Sequence, residues 1–386
     1  MTQVNNNKTV WAHRFFFPAA CLYAAIIVPL SVLAMTSGKG WPLALVGQGH
    51  AFEMLFGFAL AVVAGYTLGP TEPRLLAALA GLWLLARAAQ LLAPFSLLAL
   101  LLSSLFGLAL AWRIVPRFIA AKKWRNRLMM PLLGGLCLLP AGYWLAQQTS
   151  SALPPRLILH QAILFLALLM AFMGGRITAP AIAGELHKQG FNLVARVQPR
   201  VEGAFIILLL IASPALAING QLTIVGMHIT GNSIAGGSAL LAGGLILYRL
   251  LRWQPWRCLN RPDLIGLCIG YLWLSIGLAL FGIALISNWH LTSALHVITI
   301  GALGTLTSGV MSRTHYQRQQ RTPPPTALII ALLTTLAVAV LARIAADFSS
   351  WQNTPALLWL AATAWTLCFG TLSTLFCTAL KGVGDN

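Results

Sequence analysis

Long apolar segments recur along the whole chain, and short polar segments separate them. Because about 20 apolar residues cross a bilayer as an α-helix, each segment predicts a membrane-spanning helix. Only Pro94 interrupts the third and fourth segments, so a single re-entrant hairpin is an alternative there. The twelve predicted helices cover residues 15–35, 50–69, 75–92, 94–112, 128–146, 157–175, 202–219, 228–251, 264–286, 292–312, 326–346 and 355–378.

Composition agrees with this pattern. The 386 residues are 58% hydrophobic and only 8% charged, whereas a soluble domain carries about 25% charged residues. A chain this poor in charge cannot cover itself with a hydrated surface. We therefore predict an all-α fold, a polytopic membrane helix bundle in which residues 1–386 form a single integral membrane domain surrounded by the lipid bilayer.

The distribution of basic residues predicts an orientation. The chain has a net charge of +18, and its basic residues occupy the polar segments on one predicted side of the membrane. Of the 25, only four fall elsewhere: Lys39, Arg87, Arg156 and Arg343. Basic loops stay on the cytoplasmic side, so both termini are predicted to be cytoplasmic. The positive charge thus reports topology, and no nucleic-acid partner is expected.

Four histidines begin predicted helices that run inward from the outer side, namely His50, His160, His228 and His296. An imidazole at this depth can ligate haem iron, bind copper or relay protons. Interfacial hydrogen bonding is the alternative, above all for His290 in a predicted outer loop. The other histidines fall in basic cytoplasmic segments, where solvated side chains are expected: His13, His187 and His315.

The second predicted helix carries the richest chemistry. His50, Glu53 and Met54 share one face, and Glu53 is one of only seven acidic residues in the chain. A carboxylate within a membrane is costly, so it predicts a partner and a function, and Arg87 on the third helix is the natural counter-ion. Glu53 and Arg87 are therefore the candidate catalytic residues, with a purely structural ion pair as the alternative. Met54 is a candidate soft metal ligand, although methionines in apolar helices usually serve only as packing residues.

Several blocks in the same order resemble the NnrS family of polytopic bacterial membrane proteins. The first is His50-Ala-Phe-Glu53-Met54-Leu-Phe-Gly-Phe-Ala59, which ends in Val63-Ala-Gly-Tyr66. The others are Arg14-Phe-Phe-Phe17, Gly174-Gly-Arg-Ile177 with Pro180 after the predicted sixth helix, Ala294-Leu-His296 with Gly301-Ala-Leu-Gly-Thr305, and Met311-Ser-Arg313.

The resemblance implies a protein of the bacterial inner (cytoplasmic) membrane with haem b and copper, linked to nitric oxide metabolism and nitrosative stress. Carried over by position, it supports His50, Glu53, His160, Arg176 and His296 as site residues, whereas His228 rests on the predicted topology. Phe52 stands where the family usually has a second histidine. The expected cofactor is therefore a b-type haem, and copper stays open.

Two other classes of function fit the same residues. A proton-coupled transporter would use Glu53, His50 and Arg87, since twelve helices suit a transporter. A non-catalytic sensor or assembly protein would only bind the metal. The residues leave open whether the protein is an enzyme, and the expected small-molecule partner is nitric oxide or a related molecule.

Overall fold

The computed structural model describes residues 9–38, 42–120, 127–148, 154–218, 221–224, 227–350 and 352–381. Within these ranges the chain forms twelve helices, which confirms the all-α prediction. They are α1 His13–Thr36, α2 Gln48–Thr67, α3 Pro73–Leu92, α4 Leu97–Ile119, α5 Met129–Gln148, α6 Pro155–Lys188, α7 Pro199–Ala215, α8 Gly231–Leu251, α9 Pro262–Ser287, α10 Leu291–Gln319, α11 Thr326–Phe348 and α12 Thr354–Lys381.

Eleven of these helices are long and apolar enough to cross a membrane, and the chain is thus a multi-pass membrane protein. The remaining helix, α7, has 17 residues. At a rise of 1.5 Å per residue it is about 26 Å long, slightly shorter than a bilayer core of about 30 Å. Pro214 lies in its last turn, where a proline interrupts helical hydrogen bonding.

Two short antiparallel strand pairs accompany the helices. The strand β1 (Val10–Trp11) pairs with β2 (Pro70–Thr71), and β3 (Gln221–Ile224) pairs with β4 (Met227–Thr230). The second pair corrects the sequence prediction, because His228 lies in β4 and not at the start of a helix. The helix begins at Gly231, where the Thr230 hydroxyl accepts a hydrogen bond from the Ser233 amide and caps it.

The boundary between the third and fourth helices is confirmed as two separate helices. Phe95 adopts a left-handed conformation with a φ of 56°, which ends the preceding turn. Ser96 then caps α4 by accepting a hydrogen bond from the Ala99 amide at 3.2 Å. The predicted start at Pro94 is therefore three residues too early, since α4 begins at Leu97.

The sixth and tenth helices extend well beyond their predicted ends, to Lys188 and Gln319. Arg176 consequently lies inside α6 and not in a block that follows the helix. His315 lies inside α10 and is only 8% exposed, so the expectation of a solvated side chain is wrong for this residue. His187, by contrast, is exposed as predicted.

Charged side chains connect the ends of α6, α9 and α10. Arg261 donates to Glu185 at 2.6 Å and to Asp263 at 3.0 Å, and Arg313 also binds Asp263. The hydrogen bond that Arg261 donates to Asp263 raises the pKa of Arg261, because the carboxylate stabilises the charged guanidinium. These basic residues therefore do more than report topology, since they bind the ends of three helices together.

The Cα trace divides into two compact units. The first comprises residues 1–162 and 369–386, and the second comprises residues 163–368, so the divisions fall within α6 and α12. In the first unit α1 packs against α2, where Phe16 and Phe17 lie against Gly65. In the second unit α8 packs closely against α9, with Gly236 facing Gly282.

Candidate functional site

The first unit buries a cluster of polar side chains among four helices. Arg87 on α3 donates from Nη1 to Glu53 Oε2 on α2 at 2.7 Å, and from Nη2 to Ser103 Oγ on α4 at 2.8 Å. Tyr23 on α1 donates its hydroxyl hydrogen to the same Glu53 oxygen. Glu53 is fully buried and Arg87 is 3% exposed. The predicted pairing of Glu53 with Arg87 is confirmed, whereas the sequence did not indicate Tyr23 or Ser103.

Gly57 provides the space that this cluster occupies. A Cβ atom at this position would lie 2.7 Å from Tyr23 Cε1, 3.0 Å from Glu53 Oε2 and 3.2 Å from Arg87 Cδ. Trp83 on α3 donates its indole hydrogen to the Gly57 carbonyl at 2.9 Å, which holds the two backbones close together. A side chain at this position would therefore displace the ion pair.

The cluster is only partly satisfied by protein groups. Among the described residues, Glu53 Oε1, Arg87 Nε and Gln90 Nε2 have no hydrogen-bond partner, although all three atoms are buried. Buried polar groups in proteins normally have partners, and exceptions often mark functional positions or bound water. One acceptor and two donors thus remain available at this point in the first unit.

A π-helical stretch lies directly beside the cluster. Residues Glu53–Ala59 form the π-helical middle of α2, and the Leu60 amide donates to the carbonyl of Leu55, five residues back. Such stretches are rare and are frequent at functional sites. The wider turn begins at Glu53 itself, so the buried carboxylate and the irregular backbone coincide.

His50 is held one turn before Glu53 by a chain of hydrogen bonds to α1. Ser31 donates its hydroxyl hydrogen to the Ile27 carbonyl at 2.7 Å, and the Ser31 oxygen lies 2.9 Å from His50 Nδ1. Because the only serine hydrogen is used, His50 Nδ1 must be the donor, and in the neutral ring Nε2 carries the lone pair. Histidines that bind metals usually adopt such an arrangement, with the second ring nitrogen fixed by a hydrogen bond.

Met54 lies near His50 in an apolar environment. Its side chain packs against the buried cluster of Ile27, Ala44 and Leu45. The face predicted for the start of α2 therefore packs against α1. His50 contacts Ser31 of this helix, and Met54 contacts Ile27. The contacts of Met54 in this cluster are those of an apolar packing residue.

In the second unit, His296 shows the same tautomer as His50. Its Nδ1 lies 2.8 Å from the Thr292 carbonyl, which can only accept, so Nδ1 is the donor, and in the neutral ring Nε2 carries the lone pair. A second π-helical stretch, Val297–Gly304, follows immediately within α10. One turn earlier on the helix, Ser293 donates to Asp347 at 2.5 Å, and Arg343 also binds this carboxylate.

The second unit contains another buried ion pair, which the sequence interpretation missed. Arg249 on α8 donates from Nη2 to Glu202 Oε2 on α7 at 3.0 Å, and from Nη1 to the Tyr271 hydroxyl on α9 at 3.5 Å. Tyr271 donates in turn to the carbonyl of Ala171 on α6. Glu202 is 1% exposed and Arg249 is 2% exposed. Both units thus bury a carboxylate, a guanidinium and a phenol together.

The model of one protein family, described as NnrS protein, matches residues 9–382 of this chain, which is nearly its whole length. The chain belongs to the NnrS family. This confirms the resemblance drawn from the sequence blocks. A search of curated proteins gives no match.

The two glycines of the Gly174-Gly175 block have a structural role in the second unit. A Cβ atom at Gly174 would lie 2.7 Å from Tyr271, and one at Gly175 would lie 2.7 Å from Arg249 Nη2. The two glycines therefore let the buried phenol and guanidinium pack against α6. The neighbouring Arg176 is half-buried, and its guanidinium lies 4.2 Å from the ring centre of Phe172.

The remaining predicted ligands of the NnrS chain are less defined. His160 is half-buried near the start of α6. His228 lies in β4, but its side chain is outside the part of the structure that is described. The phenyl ring of Phe52 is fully buried, and its centre lies 5.0 Å from the ring centre of Tyr143.

The donor set fits single imidazole ligands better than a multi-ligand metal centre. His50 and His296 each carry a lone pair on Nε2, which is the requirement for an axial haem ligand. In the described ranges, no three His, Cys, Asp or Glu side chains come together as a metal-binding group. These residues therefore fit haem, whereas a copper site with three such ligands is not assembled from them.

Proposed function

We propose that this NnrS-family protein holds a b-type haem in a bacterial inner membrane and handles nitric oxide or a related small molecule under nitrosative stress. The observation that carries the haem assignment is the His50 tautomer, which Ser31 fixes beside the buried Glu53–Arg87 pair. The link to nitric oxide rests on membership of the family, whose model covers residues 9–382.

The four histidines named from the sequence have separate roles in this proposal. His50 and His296 are the first candidates for axial ligands because their Nδ1 atoms are donors. His160 and His228 are further candidates, and Arg176 is a candidate cofactor contact. Bound haem iron would supply a coordination position for a diatomic molecule. Nitric oxide is small and uncharged, so it can enter through lipid without a dedicated channel.

Glu53 and Arg87 contribute charge and proton control. Arg87 gives Glu53 a counter-charge in an apolar environment, and the ion pair adds no net charge to the unit. Glu53 Oε1 has no partner among the described side chains, so it can accept a proton or a hydrogen bond from a molecule that enters the site. Copper is the alternative cofactor, and a protein that only senses nitric oxide or assembles other metal centres is the alternative role.

A proton-coupled transporter is the second candidate function, because Glu53 is a fully buried carboxylate within a membrane-spanning helix. The predicted transporter site combined Glu53, His50 and Arg87. In the structure Glu53 binds Arg87 and Tyr23, whereas His50 binds Ser31, so each of them has its own hydrogen-bonding partners.

Optical spectra of the purified full-length protein, produced in cells supplied with haem, test the proposal. We expect a Soret band in the wild type, and its loss or shift in His50→Ala or His296→Ala, with His160→Ala and His228→Ala tested alongside. The exposed His187→Ala is the control and should leave the band unchanged. A wild type without a Soret band would refute haem binding, and metal analysis for copper and flux assays in proteoliposomes would then follow. Consumption of nitric oxide by the haem-loaded protein separates an enzyme from a sensor.

A further inference from the structure

The buried ion pair of the second unit lies in a cluster whose polar atoms are incompletely partnered. Among the described residues, Gln198 Oε1, Arg249 Nε and Trp253 Nε1 have no hydrogen-bond partner. Their side chains are deeply buried, with 5% of Gln198, 2% of Arg249 and none of Trp253 exposed. The proposed haem function uses none of these three residues.

Arg249 contacts both of the other residues. Gln198 Nε2 donates to the Arg249 carbonyl at 3.2 Å and to the Ala195 carbonyl at 3.1 Å. The two carbonyls fix the amide orientation, so the atom left without a partner is the acceptor Oε1. The Arg249 guanidinium lies 5.2 Å from the ring centre of Trp253, which in turn packs edge-on against Tyr271 at 5.0 Å.

The unpartnered atoms define the chemistry of the molecule that would complete them. A single molecule that completed all three atoms would donate one hydrogen bond, to Gln198, and accept two, from Arg249 and Trp253. An anion without an O–H group has no hydrogen to donate to Gln198, and any anion would add a negative charge beside a pair that Glu202 and Arg249 already neutralise. Water donates two hydrogen bonds, accepts two, and is neutral. Buried water typically makes about three hydrogen bonds to otherwise unsatisfied groups.

We propose that the second unit binds water against its buried Glu202–Arg249 ion pair, and that Gln198, Arg249 and Trp253 hold this water. The cluster in the first unit leaves the same combination of one acceptor and two donors. Bound water gives the ion pair a partner for proton exchange within an apolar part of the protein.

Radiolytic labelling of the full-length protein in lipid nanodiscs and ¹⁸O water tests this proposal. X-ray pulses convert bound water to hydroxyl radicals, which oxidise the nearest side chain, and mass spectrometry then locates the ¹⁸O. We expect Trp253 to take up ¹⁸O several-fold faster than Trp365, a buried tryptophan that packs against Gly304 in the same unit. Labelling of Trp253 as slow as that of Trp365 would overturn the proposal. It would mean that no water is bound beside Trp253, whether the site is empty or filled by another solute.

A variant tests the proposed ligands. Gln198→Leu removes the acceptor, and we expect it to lower the labelling of Trp253 to the rate of Trp365. The rate at Trp365 reports the integrity of the fold, because a misfolded variant would label faster there than the wild type does. In that event Gln198→Met, which keeps the length of the side chain, replaces it. Unchanged labelling of Trp253 in a folded variant would refute the role of Gln198.

Discussion

Arg87 Nη1 lies 2.7 Å from Glu53 Oε2, and neither side chain is more than 4% exposed. A buried ion pair often contributes little net stability, because both charges have lost their hydration. Removal of one partner is different, since it leaves an uncompensated charge in an apolar environment. The pair is therefore best tested by variants that remove one charge or both.

We predict that Arg87→Met destabilises the protein by about 3–5 kcal/mol, because Glu53 then remains buried without its counter-ion. The double variant Glu53→Gln/Arg87→Met should lose clearly less than the sum of the two single variants. Thermal unfolding of the purified protein in detergent gives the comparison. If the double variant loses as much as the sum, the two side chains are not energetically coupled.

Gly57 gives a second prediction, because its missing side chain accommodates the ion pair. Gly57→Ala should destabilise the protein by about 1–3 kcal/mol, since the methyl group would overlap Tyr23 and Glu53. Gly81→Ala on α3 is the matched control, because a Cβ there meets nothing within 4 Å. A gain of about 0.5–1 kcal/mol is expected for this control from helix propensity. Equal unfolding temperatures for the two variants would contradict the role of Gly57.

Ser31 provides a test that is specific to haem. Ser31→Ala removes the acceptor that orients His50 Nδ1, so haem affinity should fall about 10- to 100-fold while the fold persists. Titration of the haem-depleted protein, followed at the Soret band, gives the affinity. Ser104→Ala is the control, because the Ser104 hydroxyl donates only to the Leu100 carbonyl of its own helix. Equal haem affinity in both variants would show that Ser31 does not orient an axial ligand.

Much of the fold could be predicted from hydropathy alone. Each apolar segment of sufficient length became a helix, because a backbone in lipid must satisfy its hydrogen bonds internally. The ends were less predictable. Residues 176–188 and 313–319 lie beyond the predicted ends of the sixth and tenth helices, but α6 and α10 continue through both regions. Polarity marks the end of a membrane segment more reliably than it marks the end of a helix.

The Glu53–Arg87 pair could be predicted because both residues interrupt long apolar segments, where an unpaired charge is costly. Glu202 and Arg249 escaped the same argument. Glu202 lies in the first turn of α7 and Arg249 in the last turn of α8. The position of Arg249 therefore predicts a basic cytoplasmic residue, although it is 2% exposed. A more informative signal was available in the glycines of the Gly174-Gly175 block, which mark the close approach of a large side chain.

The histidine pattern gave a mixed outcome. His50 begins a helix as predicted, whereas His228 lies in a strand, because the strand pair β3–β4 occupies residues that were assigned to α8. Hydropathy does not separate a short apolar strand from the first turn of a helix. The π-helical stretches after His50 and His296 were also beyond prediction, since residues three and four positions apart share a face only at the regular α-helical period.

The π-helical stretch in α2 also limits which deletions the protein can tolerate. His50 contacts Ser31, and Gly65 lies against Phe17, so both ends of α2 face the same helix α1. Loss of one residue from the stretch would restore a regular α-helix and rotate one end against the other by about 100°. An in-frame deletion of a single codon would therefore rotate one half of α2 relative to the other half. The contacts of α1 with the two ends of α2 could then no longer form together.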